Sequence, residues 1–235
     1  MLKSKSKKDK KIHYDLTKKF FLESAKYKKG FYDAKDKNKL IHDKKQNKIW
    51  EISKSLIDRL LKENKILKLI DIGCGIGDFT LDLAKEYNHF SEIYGIDFLK
   101  ENIDIAKKNT NKKIKFLEED LKKLSFKDKY FDLSICINVL HHIHIDDIKE
   151  AVSEIARVSE KFIILEIRNR KNIFNFWFEY IALPLFYKNL PVYSYSINEI
   201  NMIMEKNNFN FCQAKGIYPK TCLCRRLILL YERQK

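Results

Sequence analysis

Between residues 66 and 167 the apolar positions switch repeatedly between two periods. Near-continuous or alternating apolar runs occupy 66–72, 93–97, 113–117, 131–137 and 162–167, each the length of a buried strand. Between the runs the spacing becomes helical. Phe79, Leu83 and Ala84 follow the first run, residues 101–109 follow the second, and Ile148, Val152, Ile155 and Ala156 line a helix over 146–158. Strands interleaved with helices in this way predict an α/β fold, a doubly wound parallel sheet with helices on both faces. In such a fold ligands bind beyond the carboxyl ends of the strands.

The flanks carry the pattern further. A helix over about 45–62 is predicted by the stripe Ile49, Ile52, Leu56, Ile57, Leu60 and Leu61, whose place is the core. A weaker helix spans 15–29, with Leu16, Phe20, Phe21 and Ala25, ended by Lys29-Gly30. Residues 31–45 favour turns, and the first eleven residues read as a flexible basic tail. At the other end, Ser196 with Glu199 three residues on forms a capping box for a helix facing inward through Ile200, Ile203 and Met204. Strands over 209–217 and 226–233 close the sheet. The division expected is a basic arm and helical segment over 1–45, then one domain over 46–235 with an insert at 168–196.

Chemistry enters at KLIDIGCGIGDFT, residues 68–80. Gly73, Gly75 and Gly77 sit between a buried strand and a helix N-terminus, where they permit positive φ and close approach of a ligand. The loop lacks the last spacing of G-x-G-x-x-G and the Lys-Ser/Thr of a P-loop. Asp71, just before the glycines, would repel a pyrophosphate and attract an ammonium group. Asp97 ends the second strand 22 residues past Gly75, where a carboxylate suits a ribose diol. Asp71, Asp97 and Asp120 are all expected at one edge of the sheet. An ordinary strand–turn–helix with a flexible loop is the plainer alternative.

The D-x-G-x-G-x-G stretch resembles the first motif of the class I S-adenosylmethionine (SAM) methyltransferases. EEDLKKLSF (118–126) resembles the segment that meets the adenine, and KDKYFDLSICINVLHHI (127–143) resembles the fourth strand and exit of the type-11 group, which includes ubiquinone/menaquinone biosynthesis enzymes. The resemblance covers about 66–167 and, more loosely, 196–233. It implies a Rossmann-like seven-stranded sheet of order 3-2-1-4-5-7-6 with strand 7 antiparallel. It also implies SAM as cofactor, with S-adenosylhomocysteine (SAH) as product, held by Asp71, Gly73, Gly75, Gly77, Asp97, Phe98, Asp120, Leu121 and Asn138. Glu119 competes with Asp120 for the adenine amino group. One departure stands out: the usual Pro-Gly-Gly turn before the fifth strand is replaced by VSEK (158–161).

Methyl transfer asks the protein to hold a nucleophile in line and, for some acceptors, to remove a proton. His142, or failing it His141, is the candidate base; the alternative is a pocket wall or a cap for the helix near Asp146. The exit Asn138-Val139-Leu140 differs from the Asn/Asp-Pro-Pro-Tyr/Phe of adenine and glutamine amino-group methylases, and no Pro-Cys nucleophile is present. His141, His142 and His144 with Asp146 and Asp147 lack the spacing for a metal site, and none is expected.

Composition narrows the rest. Hydrophobic residues make up 45% of the 235, and no uninterrupted apolar run of membrane-spanning length or secretory signal is evident. Five cysteines without C-x-x-C spacing read as reduced thiols of a cytoplasmic protein. Of the net charge of +15, +11 falls in the first 50 residues. That arm suits RNA or an anionic membrane surface, or is simply a solvated tail. Nine of 30 aromatics fall in the 168–196 insert, expected as a lid over an apolar or aromatic substrate pocket. An interfacial segment placing the protein peripherally at a membrane, through Arg168, Arg170 and Lys171, and a homodimer contact are the alternatives. The expectation is a SAM-dependent methyltransferase of a small apolar or aromatic molecule, acting at oxygen or activated carbon. A tRNA or rRNA methyltransferase and an inert SAM-binding accessory subunit are the rivals.

Overall fold

The structure, a computed structural model, describes residues 7–28, 37–110, 114–177, 181, 192–217 and 224–234. Seven strands form one sheet: β1 (Lys68–Ile72), β2 (Glu92–Asp97), β3 (Ile114–Glu118), β4 (Phe131–Cys136), β5 (Ser159–Arg168), β6 (Phe209–Gly216) and β7 (Arg226–Arg233). Their order is β3-β2-β1-β4-β5-β7-β6. β1 to β5 run parallel, and β7 pairs antiparallel with both β5 and β6. The fold is the Rossmann-like one the resemblance implied.

Strand alternation divides the apolar side chains between two cores. On one face Leu69, Ile93, Leu133, Ile135 and Ile164 pack with Leu56 and Leu60 of α2 (Lys37–Glu63), Phe79 and Leu83 of α3 (Asp78–Glu86) and Ile103 of α4 (Lys100–Lys108). On the other, Ile70, Ile72, Ile163, Leu165 and Leu229 pack with Val152 and Ile155 of α5 (Ile148–Val158) and with Ile200 and Met204 of α7 (Ile197–Lys206). Every strand but the edge strand β6 thus serves both cores, which is why the central runs read as almost continuously apolar. The Ser196–Glu199 capping box is formed in both directions.

The N-terminal expectations need correction. Helix α1 runs Lys7–Lys28, so residues 7–11 are helical where a flexible tail was expected. Helix α2 begins at Lys37, within the stretch read as turns. Asp and Asn lower helix propensity only modestly, and in this stretch they outweigh neither the lysines between them nor the stripe that follows. At VSEK, α5 ends at Val158 and β5 starts at Ser159, so no separate turn is inserted. Beyond β5 the short helix α6 spans Ile173–Trp177. Phe178, Tyr180, Pro184, Phe186, Tyr187 and Pro191 of the insert, like residues 1–6, lie outside the described residues.

Candidate active site

The glycine loop leaves β1 and is held by β2. Gly73 and Cys74 donate backbone N–H groups to the Ile96 carbonyl at 2.7 and 2.9 Å. Gly73, Gly75 and Gly77 have φ of 76°, 57° and 86°, the left-handed region in which a side chain is strained. The surroundings separate their roles. A Cβ on Gly73 would stand 2.1 Å from Val139 Cγ2, and one on Gly77 would stand 2.8 Å from Phe116 Cζ. A Cβ on Gly75 would meet nothing within 4 Å, so the loop opens at its centre. A ligand can meet the backbone there.

Asp97 borders that opening. Its Oδ2 accepts the Gly75 N–H at 3.0 Å, while Oδ1 accepts from Leu99 N at 2.9 Å and from Asn102 Nδ2 at 3.1 Å. Asp71 lies deeper, 3% exposed, and accepts from Thr80 Oγ1 of α3 at 2.5 Å. Burial pushes its carboxyl up to about 6, with the Thr80 bond opposing and the nearby Asp97 charge reinforcing. Asp71 therefore staples β1 to α3 beneath the loop instead of standing on the open edge. Burial likewise pushes the Cys74 thiol up, leaving no reactive thiolate in the loop. Asp120, past the end of β3, is exposed and accepts the Lys122 N–H at 2.9 Å, whereas the adjoining Leu121 is 7% exposed. Glu119 accepts from Ser125. Phe98 is partly buried, 6.0 Å from the Tyr14 ring of α1.

After β4 the chain passes Asn138, φ 62°, and enters a 3-10 turn, Leu140–His142. The His141 and His142 rings lie 4.1 Å apart. His141 is 6% exposed, with Nδ1 3.8 Å from Glu166 Oε2. His142 keeps part of its surface open, but its Nδ1 is enclosed. Burial and then the charges of Arg226 and Arg168 pull the His142 imidazole down to about 3; burial also holds His141 well below its usual range. The fold thus places the His142 imidazole well below the near-neutral range expected of a base. The ring stays neutral at pH 7, with little driving force to take a proton.

The edge also gathers residues that sequence patterns did not single out. Helix α1 lies across it: Lys10 pairs with Asp147, and His13 packs 5.3 Å from His144 and 5.4 Å from Tyr193. Thr17 is 6% exposed on the same side of α1. The signal available was a polar stripe at helical spacing, Lys10, His13, Tyr14 and Thr17, which resembles any solvated face until something covers it. Glu166, 0% exposed, and Arg226 join the edge from β5 and β7. Glu166 had a signal, an acid inside the apolar run FIILEI. Among the described residues no group of three or more His, Cys, Asp or Glu is arranged to hold a metal ion.

A protein-family profile described as Methyltransferase domain matches residues 69–161. Demethylmenaquinone methyltransferase of Staphylococcus aureus is 32% identical over 92 residues, 37% of this chain and 36% of that protein. The chain thus spans about a third of that relative's length. An uncharacterized protein of Methanocaldococcus jannaschii is 27% identical over 178 residues, 73% of this chain and 71% of its own. Among solved structures, magnesium protoporphyrin IX methyltransferase from Synechocystis with bound SAH aligns with a TM-score of 0.72 at 18% identity, over 94% of this chain and 100% of that one.

Proposed function

We propose that the chain, whose methyltransferase-domain match and Rossmann-like sheet resemble the class I SAM-dependent methyltransferases of the type-11 group, moves a methyl group from SAM to oxygen or an activated carbon of a small apolar or aromatic molecule. The observation that carries the cofactor assignment is the opening over Gly75, bordered by an Asp97 carboxylate already fastened to the Gly75 N–H. A carboxylate has about four lone-pair sites and at least three are engaged here, so a ribose diol is received partly in exchange for the Asn102 side-chain bond. In this reading Gly73, Gly75 and Gly77 take the amino-acid end of SAM above Asp71, and Asp97 takes the ribose. Phe98 and Leu121 take the adenine faces, Asp120 its amino group, and Asn138 borders the methyl. SAM supplies an already activated methyl group on its sulfonium.

The chain's own residues then orient the acceptor and exclude water. His142, neutral and beside two guanidiniums, offers a hydrogen bond in place of strong basicity. The charges that hold its pKa down also lower that of an acidic hydroxyl or carbon acid beside it. An acceptor that ionises readily therefore suits the site. The printed names of two similar proteins, demethylmenaquinone methyltransferase and magnesium protoporphyrin IX methyltransferase, support a small-molecule acceptor. Lys10 is engaged with Asp147, while Lys11, Lys18 and Lys19 of the same helix stay exposed.

The test is calorimetric titration with SAM and SAH, followed by a methyl-acceptance screen of lipophilic phenols, quinol precursors and bulk tRNA. Micromolar binding and methylation of a phenol or quinol are expected. Folded protein that ignores both nucleosides would overturn the reading, and methylation of tRNA alone would replace the substrate class. Asp97→Ala should weaken SAM binding by about 1.5–3 kcal/mol, the range for hydrogen bonds to a charged group.

A peripheral membrane contact has one observation in its favour. Ile173, Phe174, Trp177 and Ile181 are 70%, 65%, 50% and 44% exposed, next to the exposed Lys171. Co-sedimentation with anionic but not neutral vesicles, lost in Trp177→Glu, is the expected result. Dimerisation through the patch would instead show as a concentration-dependent mass. No helix among the described residues is long and apolar enough to cross a membrane.

A further inference from the structure

Where β4 ends, a buried ion pair converges on one residue of the exit loop. Glu166 of β5 is 0% exposed, and its Oε2 accepts the Asn138 backbone N–H at 3.1 Å. Its Oε1 lies 2.7 Å from Arg226 Nε on β7. The same guanidinium donates from Nη2 to Asn138 Oδ1. One ion pair therefore grips Asn138 by both backbone and side chain. Asn138 sits at φ 62°, the left-handed region that Asn tolerates better than most residues bearing a side chain, and the grip selects that state among those open to it. The next residue, Val139, fills the space that a Cβ on Gly73 would need. The path of the chain at Asn138 thus decides how Val139 closes on the first glycine of the loop.

The sheet register explains why an acid is needed at 166. In the antiparallel β5–β7 pair, Arg168 stands opposite Arg226, and like charges directly opposite each other repel. Glu166, two residues back on the same face as Arg168, offsets that repulsion and leaves Arg226 aimed across β5 at the β4 exit. A buried ion pair is weak evidence for stability, but a pair that fixes one arrangement among several is a well-attested use of one.

We propose that Glu166 and Arg226 are positioning residues for the cofactor pocket: through Asn138 they hold Val139 against Gly73, so that SAM affinity depends on a pair seated three and four strands away from β2 and its Asp97. The inference rests on the SAM reading above and adds the route by which β5 and β7 act on it.

The test is a double-mutant cycle read by SAH titration, with thermal melting as a check on folding. Arg226→Met should weaken SAH binding by about tenfold or more, since it removes the donor to Asn138 and leaves the Glu166 charge unpaired. In an Asn138→Gly background the same substitution should cost clearly less SAH affinity than in wild type, because glycine rests at positive φ unaided and has no side chain for Arg226 to hold, although Glu166 still accepts its N–H. Arg226→Lys, which can pair with Glu166 but cannot bridge both groups, should fall between. If Arg226→Met does not fold, Glu166→Gln combined with Arg226→Met removes both charges and is titrated in the same two backgrounds, with the same expectation. Equal losses in both backgrounds, or no loss in either, would overturn the inference while leaving wild-type SAH binding, and so the SAM reading, intact. A wild-type chain that does not bind SAH would overturn both.

Discussion

A carboxylate can support a backbone and still receive a ligand, and both roles are proposed for Asp97, of which the structure shows the first. Its neighbour in the site, His142, shows how burial changes a residue's chemistry without changing its position. With its pKa near 3, well under the usual imidazole value, His142 does not titrate in the range where most histidine bases act. The expected outcome is a pH–rate profile without a limb near 6.5, and a profile of unchanged shape in His142→Gln even if turnover falls. An acidic limb near 6.5 that disappears in the variant would restore His142 as a general base. Asp71 titrates in the opposite sense. Its folded-state pKa of about 6 lies above the ordinary 3.8, so the folded chain binds its proton more tightly. That stability is fully present below about 4 and is lost as pH rises through 6, on the order of 2–3 kcal/mol. In chemical denaturation, Asp71→Asn should therefore gain stability relative to wild type between pH 4 and pH 7. A constant difference across that range would mean that Asp71 is not desolvated as described. The acid nonetheless suits a pocket that receives a cationic ammonium, whose arrival would favour its charged form.

At the scale of elements, α1 is where sequence and structure part most. Its stripe of Lys10, His13, Tyr14 and Thr17 is polar, so nothing in the pattern marks it as a packing face. Its partners belong to three separate segments: His144 and Asp147 before α5, Tyr193 of the insert and Phe98 after β2. The Lys10–Asp147 pair is partly exposed and should contribute about 0.2–1 kcal/mol, so the ring contacts carry more of the docking. Lys10→Ala should then change SAH dissociation less than twofold, while His13→Ala with Tyr14→Ala should accelerate it several-fold, as read by stopped-flow displacement. If the two sets of changes act equally, α1 is not held by its rings. Helix α7 is the contrasting case. Its Ser196–Glu199 box was legible because a capping box is local, set by residues three apart.

Across the whole molecule, the alternation of two periods carried the α/β class. The order 3-2-1-4-5-7-6 came from resemblance, because spacing does not say which strands lie side by side. The glycine loop and Asp97 were legible for the same reason as the capping box. A strand, a tight turn and a helix start are consecutive in sequence, and an acid ending the next parallel strand must fall beside that turn. The Glu166–Arg226–Asn138 network was not legible as a unit. Its members are 28 and 88 residues from Asn138, and only the antiparallel return of β7 brings Arg226 to the β4 exit.

The order of residues along the chain therefore determined the layered fold, the glycine turn and the acid beside it, all consequences of local spacing and of which side chains avoid water. The tertiary structure decided the state and company of those groups. It buried Asp71 under the loop, took His142 out of its usual titration range, laid a polar helix across the edge and set one ion pair against an asparagine in the left-handed region. Protonation and docking depend on desolvation and on charges brought near through space, and neither quantity exists until the chain has closed on itself.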